Sequence, residues 1–163
     1  MNETTLQFRR MALQDLEQVM QVEREVYQFP WTERIFSDCM RVGYQCWLAL
    51  CQQQVIGHAV ISVVADESHM LNLSIARAHQ RKGYGRQFVH FLVGEARRQQ
   101  AQTMLLEVRP SNTVAINCYN AAGFNEIGSR KDYYPAADGR EDALLLAKHI
   151  APAVATADAD PSR

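Results

Sequence analysis

The run Met70-Leu71-Asn72-Leu73-Ser74-Ile75 is followed by Gln80-Arg81-Lys82-Gly83-Tyr84-Gly85-Arg86, and then by Phe88, Phe91, Leu92 and Ala96 at helical spacing. The order is strand, tight loop, helix. Two glycines one residue apart open backbone conformations closed to other residues, so several N–H groups can turn inward together where the helix begins. Arg81, Lys82 and Arg86 add full positive charges to the partial charge of the helix N-terminus. Together they favour a phosphate or pyrophosphate ligand. A glycine-relaxed turn with solvated basic residues would also explain the glycines, and it is the flanking strand and helix that tilt the balance. A dinucleotide fingerprint would need a third glycine where Phe88 stands, and a P-loop would need Gly-Lys followed by Ser or Thr. Neither is present, so a nucleoside triphosphate is not the expected ligand.

Working outward, 163 residues suit one domain that buries roughly two thirds of its unfolded surface. That domain is expected over residues 1–150. Residues 151–163 are mostly Ala, Asp, Pro and Ser with almost no large apolar side chain, the composition of a disordered tail. A net charge of −1 gives no global signal for binding nucleic acid or membrane, so partners have to be argued from local sites. Cys39, Cys46, Cys51 and Cys118 contain no Cys-x-x-Cys pair, and Cys46 and Cys51 should point to opposite faces of one strand. Reduced, mostly buried thiols are expected. The five histidines lack His-x-x-x-His spacing, so no metal is expected. The N-terminus carries no signal-peptide pattern, which points to the cytoplasm.

Along the chain, Leu6 to Arg10 reads as a strand, and Leu13, Leu16, Val19, Met20, Val26 and Tyr27 recur at helical spacing. Phe29-Pro30-Trp31 breaks that helix, and Thr32 caps a second one. The break either rims a cleft or packs on the core as a helix corner. Gln45–Cys51 and Val55–Val64 form a hairpin, and Glu67–Ile75 extends the sheet. After the long helix come a strand at Thr103–Arg109, a short helix at Thr113–Ala122 closed by Gly123, and strands at Asn125–Tyr133 and Ala143–Ile150 around a loop carrying Asp138-Gly139. This order implies an α/β fold, a mixed and mostly antiparallel sheet of about seven strands with helices on both faces.

Gln80-x-x-Gly83-x-Gly85 between strand and helix resembles the pyrophosphate-binding motif of the Gcn5-related N-acetyltransferase (GNAT) family, whose element order the whole chain also matches. The resemblance implies acetyl-CoA as cosubstrate, with its pyrophosphate held by Arg81, Lys82, Gly83, Tyr84, Gly85 and Arg86. Acetyl transfer from a thioester to an amine needs a base for the amine and an acid for the leaving thiolate. Glu107 interrupts Met104-Leu105-Leu106 and Val108, an apolar setting that tends to raise a carboxylate pKa; alternatively it is solvated or paired with Arg109. An α-ammonium near pKa ~8 and a free Glu near ~4.3 differ by about 5 kcal/mol, so part of that gap has to be closed. Tyr119 offers a phenol of pKa ~10 to a thiolate of ~8.5, uphill by about 2 kcal/mol, or it simply packs with Ala115 and Ala122. Asn112 caps the short helix and could in addition turn its amide toward the cosubstrate.

Within that family, Glu107-Val108-Arg109-Pro110-Ser111-Asn112 with Ala115, Tyr119, Gly123 and Phe124 is similar to the bacterial group that acetylates the N-terminal alanine of a small-subunit ribosomal protein, number eighteen. Phe29-Pro30-Trp31, Tyr133-Tyr134-Pro135 and Asp138-Gly139-Arg140-Glu141-Asp142-Ala143 match as well. The resemblance implies Glu107 as general base and Tyr119 as general acid. It implies that backbone at Leu73, Ser74 and Ile75 splays at a strand bulge to hold the thioester oxygen and pantetheine arm, and that Asn112 touches the cosubstrate. Phe29, Trp31, Tyr133 and Tyr134 would flank the acceptor peptide. Ser74 departs from the alanine usual in the group. Other protein N-termini, lysine or a small amine are alternative acceptors, and a non-catalytic acyl-CoA-binding domain is the alternative of another class.

Overall fold

The computed structural model describes residues 4–152. The expected tail thus lies outside the described residues, apart from Ala151 and Pro152. Seven strands form one sheet: β1 (Gln7–Arg10), β2 (Gln45–Cys51), β3 (Gln54–Val64), β4 (Glu67–Ile75), β5 (Thr103–Val108), β6 (Asn125–Ala136) and β7 (Gly139–His149). The helices are α1 (Leu16–Val26), α2 (Glu33–Arg41), α3 (Tyr84–Arg98) and α4 (Thr113–Ala121), with single 3-10 turns at Leu13–Asp15 and Arg77–His79. Strand order is β1-β2-β3-β4-β5-β7-β6. Among the described residues only β4 and β5 pair in parallel, as the connection through α3 requires.

Alternation along the strands sends apolar residues to both faces, and each face has its own core. Phe88, Leu92, Met104 and Leu106 pack with Tyr119 and Phe124 on the α3 and α4 side. Val19, Met20, Phe36, Leu48 and Val60 pack on the α1 and α2 side. Cys46 belongs to the second core and Cys51 packs against the first, the opposite-face placement expected from their odd spacing. All four cysteines are free thiols.

The final hairpin is longer than its sequence indicates. Tyr134 to Asp142 reads as a loop because of Pro135 and Asp138-Gly139, yet β6 runs to Ala136 and β7 begins at Gly139. Proline is tolerated because β6 is an edge strand with no ladder partner on its outer side. Gly139 takes φ +129, open to glycine. The register jumps between Arg130 and Tyr134, and Asp132 absorbs the bulge at φ 51 with its N–H donating to Asp142 Oδ1 at 2.9 Å.

The break that makes the site lies in mid-sheet. β4 and β5 pair only over Glu67–Met70 against Thr103–Leu106. Beyond that point Leu71–Ile75 and Glu107–Val108 part, leaving a gap between the strand ends. A β-bulge helps to turn β4 away: Ile61 pairs with Met70 and Val60 with Asn72, so Leu71 is the extra residue.

Candidate active site

The gap exposes one side of the β4 backbone. Leu73 carbonyl accepts from Tyr27 Oη at 2.5 Å, and Ile75 carbonyl accepts from Gln80 Nε2 at 2.8 Å. Both carbonyls therefore turn away from β3. In an antiparallel strand a residue's N–H and C=O face the same neighbour, so the Leu73 and Ile75 N–H groups also face the gap. Ser74, of opposite parity, faces β3 with its backbone, where it pairs with His58. The bulge sits at Leu71 rather than at Leu73–Ile75, and strand alternation presents Leu73 and Ile75 to the gap without the backbone of Ser74.

Gln80 ties the glycine loop to the end of β4. Gly83 precedes α3 in the left-handed conformation, φ 81, and Arg81 does the same at φ 61. Gly85 differs from expectation: it lies in the first turn of α3 with no positive φ. A Cβ there would sit 3.6 Å from Cys118 Sγ, ordinary contact, so the protein's own packing does not demand glycine. What glycine leaves is a bare helical turn that a phosphate can approach closely. Arg81, Lys82 and Arg86 have no acidic partner among the described residues, which keeps their charge available. Tyr84 Oη turns back to within 4.0 Å of Cys51 Sγ, so Tyr84 joins the loop through its backbone only.

Glu107 stands where β5 leaves β4, with its side chain 7% exposed. It pairs neither with solvent nor with Arg109. Its Oε2 lies 2.5 Å from His69 Nε2 and its Oε1 3.2 Å from Arg130 Nε. Burial pushes the carboxyl pKa up, but the hydrogen bond and charge of His69 and the charge and hydrogen bond of Arg130 outweigh it, so the net direction is down. An apolar strand alone would raise it. His69 and Arg130 reverse the sign because strand pairing and the β6 register, invisible in a linear sequence, bring them to the same carboxylate.

Tyr119 is buried on α4, its ring 5.8 Å from Phe124 at a 60° tilt. Burial and the neighbouring Tyr27, Cys118 and Tyr134 hold its phenol well above the ordinary value. Tyr134 in turn feels Tyr133 and Glu107, and its phenol is also raised, chiefly by burial. Tyr27, Tyr119 and Tyr134 thus converge, with Glu107 in electrostatic reach. Asn112 caps α4, Oδ1 accepting from Ala115 N–H at 3.2 Å. Ser111 fixes the preceding loop to β7 by donating both N–H and Oγ–H to Glu141 Oε1.

Two walls bound this region. The Arg109 guanidinium lies 4.4 Å from the Tyr134 ring centroid and 5.5 Å from that of Phe29, bridging the α1–α2 loop to β6. Phe29 and Tyr133 remain exposed at 40% and 43%. Trp31 instead packs on Phe36 and supports the loop from below. A separate hollow of about 390 Å³ between α1, the β2–β3 turn and His79 contains none of these acid–base residues. Among the described residues no group of His, Cys, Asp and Glu is arranged to hold a metal, and no helix is long and apolar enough to cross a membrane.

The model of the acetyltransferase (GNAT) family matches residues 11–124. This chain is a GNAT-family acetyltransferase. Ribosomal protein bS18-alanine N-acetyltransferase from Escherichia coli strain K12 is 35% identical to this acetyltransferase over 136 residues, 83% of this chain and 92% of the relative. The protein of the same name from Salmonella typhimurium strain LT2 is 34% identical over 140 residues, 86% of this chain and 95% of that one. The crystal structure of the Escherichia coli ribosomal-protein-S18-alanine N-acetyltransferase superposes with a TM-score of 0.84 at 32% identity, covering 93% of this chain and 98% of that one.

GNAT enzymes use acetyl-CoA, and this acetyltransferase has features that fit it: a free-charged loop at a helix N-terminus and two N–H groups facing a gap in the sheet. A further cluster supports both. Glu23 is buried at 1% exposure and accepts from Trp31 N–H, Asn72 Nδ2 and Ser74 Oγ, with His58 Nε2 at 2.7 Å. It joins α1, the α1–α2 loop, β3 and β4 around one carboxylate. Tyr27, His69, Arg130 and Glu23 carry site geometry that sequence reasoning passed over. For Glu23 a signal was present: it lies four residues after Val19 and three after Met20, on the apolar stripe of α1.

Proposed function

We propose that this acetyltransferase moves the acetyl group of acetyl-CoA to the N-terminal alanine of ribosomal protein bS18, by direct attack of the amine. The match to relatives of that name over nearly their full length supports the acceptor. The observation that carries the chemistry is a shielded carboxylate, Glu107, at the mouth of a sheet gap whose opposite edge presents backbone N–H groups.

Acetyl-CoA supplies an activated acetyl thioester. Arg81, Lys82 and Arg86, with the N–H groups from Gly83 to Arg86, hold its pyrophosphate. The Leu73 and Ile75 N–H groups bind the pantetheine arm and polarise the thioester oxygen. Phe29, Tyr133 and Tyr134 flank the peptide, with Trp31 holding the loop and Asn112 at the cosubstrate edge. Glu107 accepts the amine proton, and Tyr119 offers its O–H to the departing sulfur. Because its phenol is raised, Tyr119 serves first as a hydrogen-bond donor, and full proton transfer costs more than the ordinary ~2 kcal/mol.

Lysine acceptors are harder, since an ordinary side-chain pKa of ~10.4 adds about 3 kcal/mol to deprotonation relative to an α-amine. Initial rates of CoA thiol release with an Ala-initiated peptide, an N-blocked lysine peptide and a polyamine test the proposal. Release that depends on the Ala peptide and vanishes in Glu107→Gln is expected. Preference for lysine or polyamine would move the acceptor, and CoA binding without release on any acceptor would favour a non-catalytic role.

A further inference from the structure

Arg109 follows Glu107 by two residues and is held from several sides. Its Nη1 donates to the Pro135 carbonyl at 2.7 Å and lies 3.6 Å from Glu141 Oε2, while the guanidinium bridges the rings of Phe29 and Tyr134. Glu141 is fixed in turn by Ser111. Bridging the two walls occupies the faces of the guanidinium and Nη1. Its Nε and Nη2 make no hydrogen bond among the described residues. The side chain is 23% exposed and none of its nitrogens is among the buried polar atoms that lack a partner, so these N–H groups open to solvent. Tyr134 lies in electrostatic reach of both Arg109 and Glu107, which gathers the open donors and the base around one ring. Arg130 is placed differently: it is half exposed and spends its Nε on Glu107 itself.

We propose that Arg109 is a specificity-determining residue: its open N–H groups bind the carbonyl of the acceptor's first residue, so that the enzyme selects an amine with a peptide carbonyl beside it rather than an amine alone. The inference rests on the proposed acetylation of an α-amine. In such an acceptor the carbonyl carbon is bonded to the carbon that carries the amine, so an amine brought to Glu107 carries its carbonyl oxygen to the same small region. A lysine ε-amine ends a methylene stem and has no oxygen there, and a polyamine has none at all. A guanidinium suits this task because it is planar, keeps its charge at every working pH and offers its remaining donors at fixed angles. The stacking between Phe29 and Tyr134 and the bond to Pro135 hold it in place before the peptide arrives, so little side-chain freedom is lost on binding. A polyamine would in addition bring further positive charge beside Arg109 and Arg130.

The test measures kcat/KM of native protein and Arg109→Met on three acceptors: an Ala-initiated peptide, the same peptide with its first peptide bond replaced by an (E)-alkene, which keeps the shape and removes the carbonyl, and an N-blocked lysine peptide. Rates are expressed per unprotonated amine, and any remaining difference in amine reactivity is common to both proteins and cancels between them. Native turnover of the Ala peptide with loss in Glu107→Gln establishes the underlying reaction independently of Arg109; native preference for lysine would overturn that reaction and this inference together. For native protein the alkene should cost about 10–100-fold, the range for a hydrogen bond to a charged group. Arg109→Met should lose about as much on the Ala peptide and little more on the alkene, while its rate on the lysine peptide stays within a few-fold of native. The preference for an α-amine thus shrinks, a change that loosened walls alone would not produce. An equal fall on all three acceptors in Arg109→Met would overturn the inference, and so, without any variant, would native protein that turns over the alkene as well as the peptide.

Discussion

Gly57→Ala is a perturbation whose consequence can be worked from distances. Gly57 on β3 pairs with Ile75, and a Cβ there would stand 2.5 Å from the Ser74 carbonyl oxygen and 2.8 Å from Ile75 Cδ1. The methyl of Ile75 can rotate aside, but the carbonyl is backbone. Restoring ordinary contact requires β3 and β4 to separate by about 1 Å at this point. That shift falls on Ser74–Ile75, the segment that aims the Ile75 N–H into the gap and whose carbonyl anchors Gln80 of the glycine loop. Overpacking of this kind costs ~1–3 kcal/mol, or about 3–10 °C in Tm for a domain of this size. Misplacing the cosubstrate donors should in addition weaken acetyl-CoA binding roughly 10-fold or more, because a charge-assisted or well-aligned donor contributes on the order of 1–2 kcal/mol. Calorimetric titration with acetyl-CoA and a thermal melt measure the two effects. An unchanged Kd in a folded Gly57→Ala protein would refute the claim that this end of β4 grips the cosubstrate.

Tyr119→Phe should lower kcat by roughly 10–100-fold with the KM for acetyl-CoA held, read from initial rates, since only the donor to the departing sulfur is removed. Arg81→Ala combined with Arg86→Ala should weaken acetyl-CoA binding about 10–100-fold and flatten its salt dependence, measured by titration at two ionic strengths. Glu23→Ala leaves His58 and two polar side chains buried without their shared acceptor, and should cost ~3–5 kcal/mol in urea unfolding. The Arg9 hydrogen bond holds the Asp15 carboxyl below its usual range against the opposing effect of burial. A depressed folded pKa gives stability that is present above the ordinary carboxylate value of ~4 and lost as pH falls through the folded one. The urea midpoint should therefore drop between about pH 5 and pH 3, and Asp15→Asn should reduce that drop.

The strand–loop–helix order around Gly83 and the hairpin at Gln52-Gln53 were legible because they rest on local signals, namely spacing, turn chemistry and charge. The Glu107 and Tyr119 positions were legible as a carboxylate interrupting an apolar strand and a tyrosine on the next helix. What surrounds them was not. His69 meets Glu107 only because β4 and β5 pair in parallel with Met70 opposite Leu106, and Arg130 meets it only through a strand order that places β7 between β5 and β6. The sign of the Glu107 pKa shift follows from those two contacts, so a purely local estimate of burial pointed the wrong way. Gly85 shows the converse: its spacing marks the motif, yet its backbone is ordinary and its use lies in what it leaves empty.

The measurement that bears most directly on the whole account is the site of acetylation, mapped by tandem mass spectrometry after incubation of acetyl-CoA and this protein with the Ala-initiated N-terminal peptide of bS18, alongside the same peptide blocked at its N-terminus. One acetyl group on the free alanine amine, none on the blocked peptide and none with Glu107→Gln is the predicted result. Acetyl groups on lysine side chains of both peptides, or equal transfer by Glu107→Gln, would contradict it.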